Sequence, residues 1–290
     1  MNKKKYVVST NLRGIFYMLF GTFFLIAMTV VVRHLSSELH TFEIAFFRNI
    51  IGLSMLLPIL MKRGFVSLKT NNIGGMALRG IFHAGGMLFY FLALTLMPLA
   101  ELASLSFTSP LFITLLAVLI FHERLGPRRI MGLILGFIGA IIILRPGSGV
   151  LGLGAVYAMI AVFSWSIAVI FIKHLSKDNS TVTMTIYALF FLTLFTLVPA
   201  LYVWQWPSIE QYCWLVLLAA LGTIGQLLFT QSMKIADVSL IMPFDFSRLI
   251  WASLFGIFFF SEHPSVWTFV GGGLIFASAT YIAYRERLVK

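Results

Sequence analysis

Ten apolar stretches of about 20 residues, the length an α-helix needs to cross a ~30 Å hydrocarbon core, follow one another along the chain. They run at about Leu12–Val32, Phe42–Met61, Ile73–Leu96, Ala100–Phe121 and Ile130–Leu144, then at Leu151–Ile172, Val182–Tyr202, Tyr212–Met233, Val238–Phe260 and Val266–Tyr284. Of the 290 residues 60% are hydrophobic and only 11% charged. A water-facing surface of this size needs far more charge. The expected fold class is an all-α integral membrane protein of ten transmembrane helices, with the lipid bilayer as its main partner. The connections are short and leave no room for a soluble catalytic domain.

A net charge of +11 would suggest nucleic acid as the partner of a soluble chain. Here the distribution of the charges explains them instead. With the N-terminus inside, inner segments hold sixteen basic residues: Lys3, Lys4, Lys5, Arg13, Lys62, Arg63, Lys69, Arg124, Arg128, Arg129, Lys173, Lys177, Lys234, Arg285, Arg287 and Lys290. Outer segments hold two, Arg33 and Arg145. This positive-inside bias fixes the expected orientation, with both termini cytoplasmic, and also the number of spans, since one missed helix would swap every later loop. No nucleic-acid partner is implied. The first apolar stretch is too long for a signal-peptide core and is not followed by a small-residue cleavage site, so it is expected to remain as the first span. The single cysteine, Cys213, allows no internal disulfide and no Cys-based metal site. No metal or other cofactor is expected.

The two halves echo each other. Gly14-x-x-Tyr17-x5-Phe23 with Arg33-His34-Leu35-Ser36 recurs 140 residues later as Gly154-x-x-Tyr157-x5-Phe163 with Lys173-His174-Leu175-Ser176. Glu123-x8-Gly132 recurs as Glu262-x8-Gly271 at an offset of 139. The expected units are therefore residues 1–146 and 147–290. A unit of five crossings must re-enter from the opposite side, which gives an inverted repeat with a binding site between the halves near the midplane.

Several motifs carry a family resemblance. They are Phe42-Glu43-Ile44-Ala45-Phe46-Phe47-Arg48, Leu78-Arg79-Gly80, Ala100-Glu101 with Ser109-Pro110, Glu123, and Gly132-x3-Gly136-x2-Gly139. With ten spans in two halves, the whole chain resembles the drug/metabolite transporter superfamily and its EamA-type branch. The second-span motif is similar to the group that includes S-adenosylmethionine transporters. The resemblance implies transport of a small metabolite, such as an amino acid or S-adenosylmethionine, by alternating access, in a bacterial cytoplasmic membrane and as a monomer or homodimer.

Charges inside a bilayer are costly and mark candidate sites. Glu43 lies near the outer end of the second span, where it is either a solvated interfacial carboxylate or part of the site. Arg48, two turns deeper, should point inward as an ion-pair partner or a carboxylate ligand. Asp245 and Arg248 share one helical face, as a self-neutralising pair or as a split site for an ammonium and a carboxylate. Pro243 before them and Pro110 in Ser106-Phe107-Thr108-Ser109 mark interrupted helices, although the two prolines do not align between the repeats. Arg79 is expected to snorkel to phosphates at the inner boundary. One turn further in, His83 is either hydrogen-bonded between helices or a proton carrier. Glu101 fits a helix cap. Tyr90, Trp165 and Trp251 lie deep enough to wall a cavity and to stack on an aromatic or cationic substrate.

Substrate-binding candidates are thus Arg48, Asp245, Arg248, Glu43, His83, Tyr90, Trp165 and Trp251, for a zwitterionic or cationic metabolite. Proton coupling through His83, Asp245 or Glu43 is left open. A proton-coupled drug or metabolite exporter is the alternative, although the first and sixth spans carry no acid. A membrane scaffold or lipid-handling protein is a third class. An intramembrane enzyme finds no support, because H-E-x-x-H and G-x-S-x-G are both missing from the sequence.

Overall fold

The computed structural model describes residues 3–63, 70, 72–121, 127–144, 152–175, 179, 181–236 and 244–289. Glu123, Arg124, Arg145, Pro243 and the start of the ninth expected span lie outside them, as do the side chains of most of the loop cations counted above.

Among the described residues the fold is entirely helical. The first half comprises α1 (Lys3–Leu35), α2 (Thr41–Arg63), α3 (Ile73–Leu96), α4 (Leu99–Ser106), α5 (Ser109–Phe121) and α6 (Pro127–Leu144). The second comprises α7 (Leu153–Leu175), α8 (Thr181–Tyr202), α9 (Ile209–Ile235), α10 (Ser247–Phe260) and α11 (Val266–Val289). Seven segments are long and apolar enough to cross a membrane, α4 and α5 together forming one of them. Three shorter apolar helices, at Ile130–Leu144, Ser247–Phe260 and Val266–Ser278, complete the ten spans. The α1–α2, α3–α4, α8–α9 and α10–α11 turns fall on one face of the bundle, where Glu38 reaches Gln211 and Glu262 meets both Arg33 and Leu99.

The packing shows the inverted repeat directly. Exchanging each helix for its repeat counterpart turns the α1·α9 contact into α7·α3, α2·α9 into α8·α3, and α1·α10 into α7·α5; every one of these contacts is present. The contacts α2·α8 and α6·α11 map onto themselves and are also present. The halves interlock, each helix finding its main partner in the other half.

Small residues set the closest crossings. A Cβ at Gly225 of α9 would lie 3.0 Å from the Leu25 backbone nitrogen and 3.1 Å from the Gly21 carbonyl of α1. A Cβ at Gly86 of α3 would lie 3.1 Å from the Ala161 carbonyl of α7. Gly225 and Gly86, like Gly21 and Ala161, are repeat counterparts, so the same glycine contact is built twice. Close backbone approach is how helices gain packing energy where lipid supplies no hydrophobic drive.

The fourth span breaks at Phe107–Thr108, next to Pro110 as expected, and the freed groups are met locally. The Leu105 carbonyl accepts from the Thr108 amide at 2.9 Å and from the Thr108 hydroxyl at 2.7 Å. In the ninth span, residues 244–245 are helical, Phe246 is a turn and α10 starts at Ser247. Phe107 and Phe246 are separated by the repeat offset of 139. Their rings stack on each other, centroids 5.3 Å apart at 25°. The prolines do not align, but the breaks do, and they meet on the pseudo-two-fold axis.

Candidate functional site

Arg79, His83, Met87 and Tyr90 lie at intervals of four, four and three residues along α3, which puts them on one helical face. Arg79 is 8% exposed; it donates from Nη1 to the Met184 carbonyl of α8 at 3.0 Å, and its Nε has no partner. This corrects the expectation of an arginine snorkelling to phosphates: a whole guanidinium is sealed between α3 and α8. His83 is half-buried, edge-on to Trp165 of α7 at 4.7 Å, and within electrostatic reach of both Arg79 and Arg48.

Arg48 of α2 is also 8% exposed. Its Nη1 donates to Asn49 Oδ1 at 2.8 Å and its Nε is unpartnered. Asn49 in turn reaches Met87 Sδ and Thr196 Oγ1 of α8, each at 3.5 Å. The guanidinium lies over Gly222 of α9, where a Cβ would come within 3.1 Å of Nε and Nη2. Among the described residues Arg48 meets no acid, so the ion-pair partner allowed for in the sequence is not there.

On the other side of the bundle, Asp245 Oδ1 stands 2.7 Å from Arg248 Nε, an ion pair whose alignment falls short of a hydrogen bond. It straddles the Phe246 break, with Asp245 just ahead of the positive N-terminal end of α10. Arg248 also lies 5.0 Å over the Phe229 ring of α9 and acts electrostatically on Tyr90, which lies close to Ser106 at the end of α4. Trp251 presents a buried, unpartnered Nε1 and packs edge-on against Phe23 at 5.4 Å. Tyr90, Arg248 and Asp245 therefore converge beside the two helix breaks, with Trp251 one turn along α10 from Arg248. Arg48 and His83 line the neighbouring α2–α3 wall. Trp165 stands behind His83 and is 40% exposed. No contact joins Arg48 to the Asp245–Arg248 pair among the described residues.

Glu43 sits five residues before Arg48 on α2. It is 0% exposed, which corrects the reading of a solvated interfacial carboxylate. Its Oε1 accepts from the Gln205 amide at 2.5 Å, tying α2 to the α8–α9 connection, where Trp204 packs over Phe46 and Phe47. Glu43→Ala is expected to lower stability by about 1.5–3 kcal/mol, the range for a hydrogen bond to a charged group, read as a drop in melting temperature. The half-saturation for substrate should stay within about twofold of wild type, since a remote tie leaves ligand contacts in place. A large shift in half-saturation with unchanged melting would return Glu43 to the site.

Asn49, Thr196 and Gly222 were not singled out from the sequence. Asn49 had a readable signal as a second polar residue beside Arg48 in an apolar run. Thr196 did not, being one of four threonines in α8 after its first residue. Among the described residues no three His, Cys, Asp or Glu side chains cluster as a metal site.

Ten spans in an inverted repeat, with paired helix breaks and buried charge between the halves, define a secondary membrane transporter. The match to known proteins agrees. The chain belongs to the EamA-like transporter family, whose pattern it matches twice, at residues 12–145 and 152–284. It is 28% identical over 280 residues to an S-adenosylmethionine uptake transporter of Rickettsia prowazekii, covering 97% of this chain and 95% of the relative. It is 30% identical over 251 residues to a riboflavin transporter of Brucella anthropi, covering 84% and 88% respectively. A solved crystal structure superposes with a TM-score of 0.63 at 21% identity over 98% of this chain and 99% of the other, which shows a shared fold.

Proposed function

We propose that this multi-pass protein carries a small zwitterionic or cationic metabolite, an amino acid or S-adenosylmethionine, across a bacterial cytoplasmic membrane by alternating access. The observation that carries this reading is the pair of aligned helix breaks at Phe107 and Phe246. Such breaks are tolerated in a membrane only where protein or a wet cavity meets them, and matched breaks mark the substrate site of repeat-built carriers. Around them Asp245 attracts an ammonium or sulfonium group, while Arg248 and Arg48 attract a carboxylate. Tyr90 and Trp251 supply aromatic surface, and Trp165 orients His83. Residues 1–146 and 147–290 are the two halves that rock about the site, and the termini face the cytoplasm, where the basic loop residues belong. The similarity to a named S-adenosylmethionine transporter supports that substrate, and the similarity to a named riboflavin transporter makes a neutral flavin the reading to test against it.

The test is uptake of radiolabelled S-adenosylmethionine into proteoliposomes, with riboflavin as comparison and with or without an imposed proton gradient. Saturable S-adenosylmethionine uptake is the expected result. Uptake of riboflavin alone would overturn the charged-substrate reading. Dependence on the gradient would assign coupling to His83 or Asp245.

A further inference from the structure

Two guanidiniums are buried at the α2–α3–α8–α9 junction, and among the described residues neither meets an anion. Arg48 and Arg79 each place one of five N–H groups on a neutral oxygen and leave a buried Nε unpartnered. Among the described residues no carboxylate pairs with either: Asp245 pairs with Arg248 and Glu262 with Arg33, while Glu43, five residues before Arg48 on α2, has Oε1 on the Gln205 amide and a buried Oε2 without a partner. A buried cation without a partner costs several kcal/mol, and a membrane protein keeps such a group where a ligand or a wet path meets it.

The two lie at successive levels of α3. Asn49 touches Met87, so Arg48 lies level with that turn of α3. Arg79 is two turns further towards the start of α3, about 12 Å along the helix at 1.5 Å per residue. His83 lies between them, within electrostatic reach of both. Gly222 leaves the Arg48 guanidinium the room it occupies.

Resting on the transport reading above, we propose that Arg48 and Arg79 are successive ligands for one substrate carboxylate, taken in turn as the substrate crosses. The transported molecule therefore bears a free carboxylate, and neither a pure cation nor a neutral flavin satisfies the path. A planar two-oxygen anion matches the guanidinium fork, which a point charge such as lysine does not reproduce. Asn49 holds the Arg48 fork in place, and Thr196 steadies Asn49.

The experiment is counterflow of radiolabelled S-adenosylmethionine in proteoliposomes, competed by unlabelled S-adenosylmethionine and by its decarboxylated form, which lacks only the carboxylate. Wild-type protein should prefer the carboxylated competitor by roughly tenfold or more, as expected for a lost charge-assisted bond. In Arg48→Gln and in Arg79→Gln that preference should fall to near unity. Arg48→Lys and Arg79→Lys keep the charge and so guard against misfolding, and they should recover only part of the preference. Equal competition in wild type, or an undiminished preference in both Gln variants, overturns the proposal. Loss in Arg48→Gln alone overturns the second station.

If wild-type protein carries no S-adenosylmethionine, the proposed substrate falls and the carboxylate claim is read separately. Thermal unfolding of the detergent-purified protein is then compared in amino acids and their amides at equal ionic strength. Carboxylates should raise the melting temperature of wild type and not of Arg48→Gln. An equal response to acid and amide overturns the inference.

Discussion

Gly225→Leu is expected to abolish the folded protein, with loss of the monodisperse peak in detergent size-exclusion chromatography. The neighbours of a Cβ at Gly225 include the Leu25 backbone nitrogen at 3.0 Å and the Gly21 carbonyl at 3.1 Å. Backbone atoms do not step aside as a side-chain tip does, so α1 and α9 must separate along their length. One overpacked position in a tight core costs about 1–3 kcal/mol, and more where backbones are forced apart. Here the crossing also carries the Ser232 hydroxyl bond to the Gly14 carbonyl at 2.6 Å. Gly74→Leu is the control, because a Cβ there meets nothing within 4 Å. A normal elution profile for Gly225→Leu would mean that α1 and α9 are not in backbone contact.

The second large effect is expected at the face that carries the α10–α11 turn. Glu262 pairs with Arg33 at the end of α1 and accepts the Leu99 amide at the start of α4 at 2.9 Å, while Arg33 lies 4.7 Å over Phe260. One carboxylate thus fastens the α10–α11 turn to two elements of the first half. Its backbone is held by the left-handed Ser261 (φ 53°) and by the Glu262 amide bonding to the Gly256 carbonyl at 3.0 Å. Glu262→Ala strands a cation and a helix-start amide, and the expected loss is about 2–4 kcal/mol, short of a fully buried pair. Function should shift in the same direction. In a Cys213→Ser background, Ser106→Cys should react faster with an impermeant maleimide added from that face once Glu262 is replaced. Unchanged labelling and melting would mean the contact carries no closure. The swap Arg33→Glu with Glu262→Arg should restore only part of the stability, because an arginine does not accept the Leu99 amide.

The spans were legible because water exclusion is written locally. Twenty apolar residues in a row have few other places to go, and each expected stretch overlaps a helix. The inverted repeat was legible for the same reason, since Gly14-x-x-Tyr17 and Gly154-x-x-Tyr157 are recognised without knowing any contact. The fourth span announced its break through Ser106-Phe107-Thr108-Ser109-Pro110. The alignment of that break with the second one was hidden, because the turn falls at Phe246, a residue with no turn chemistry of its own. Depth could be read for Glu43 and Arg79, but enclosure could not. Glu43 is sealed by Gln205, 162 positions away, and Arg79 by Met184, 105 positions away. Sequence position says how far a charge lies from a helix end, whereas burial depends on what folds over it. The Arg33–Glu262 tie had the same weakness: both residues stood out as repeat markers, and nothing local joined them.

The interlocked packing has a consequence for how the chain is made. A ribosome delivers α1 into the bilayer long before α9 exists, and α2 before α8. Until then the Gly21 surface of α1 has only lipid, or a chaperone, to lie against. Folding therefore waits for distant partners, as slow assembly through long-range contacts requires. A transcript truncated after α6 would release five spans with their best surfaces unpaired, marked for disposal by quality control.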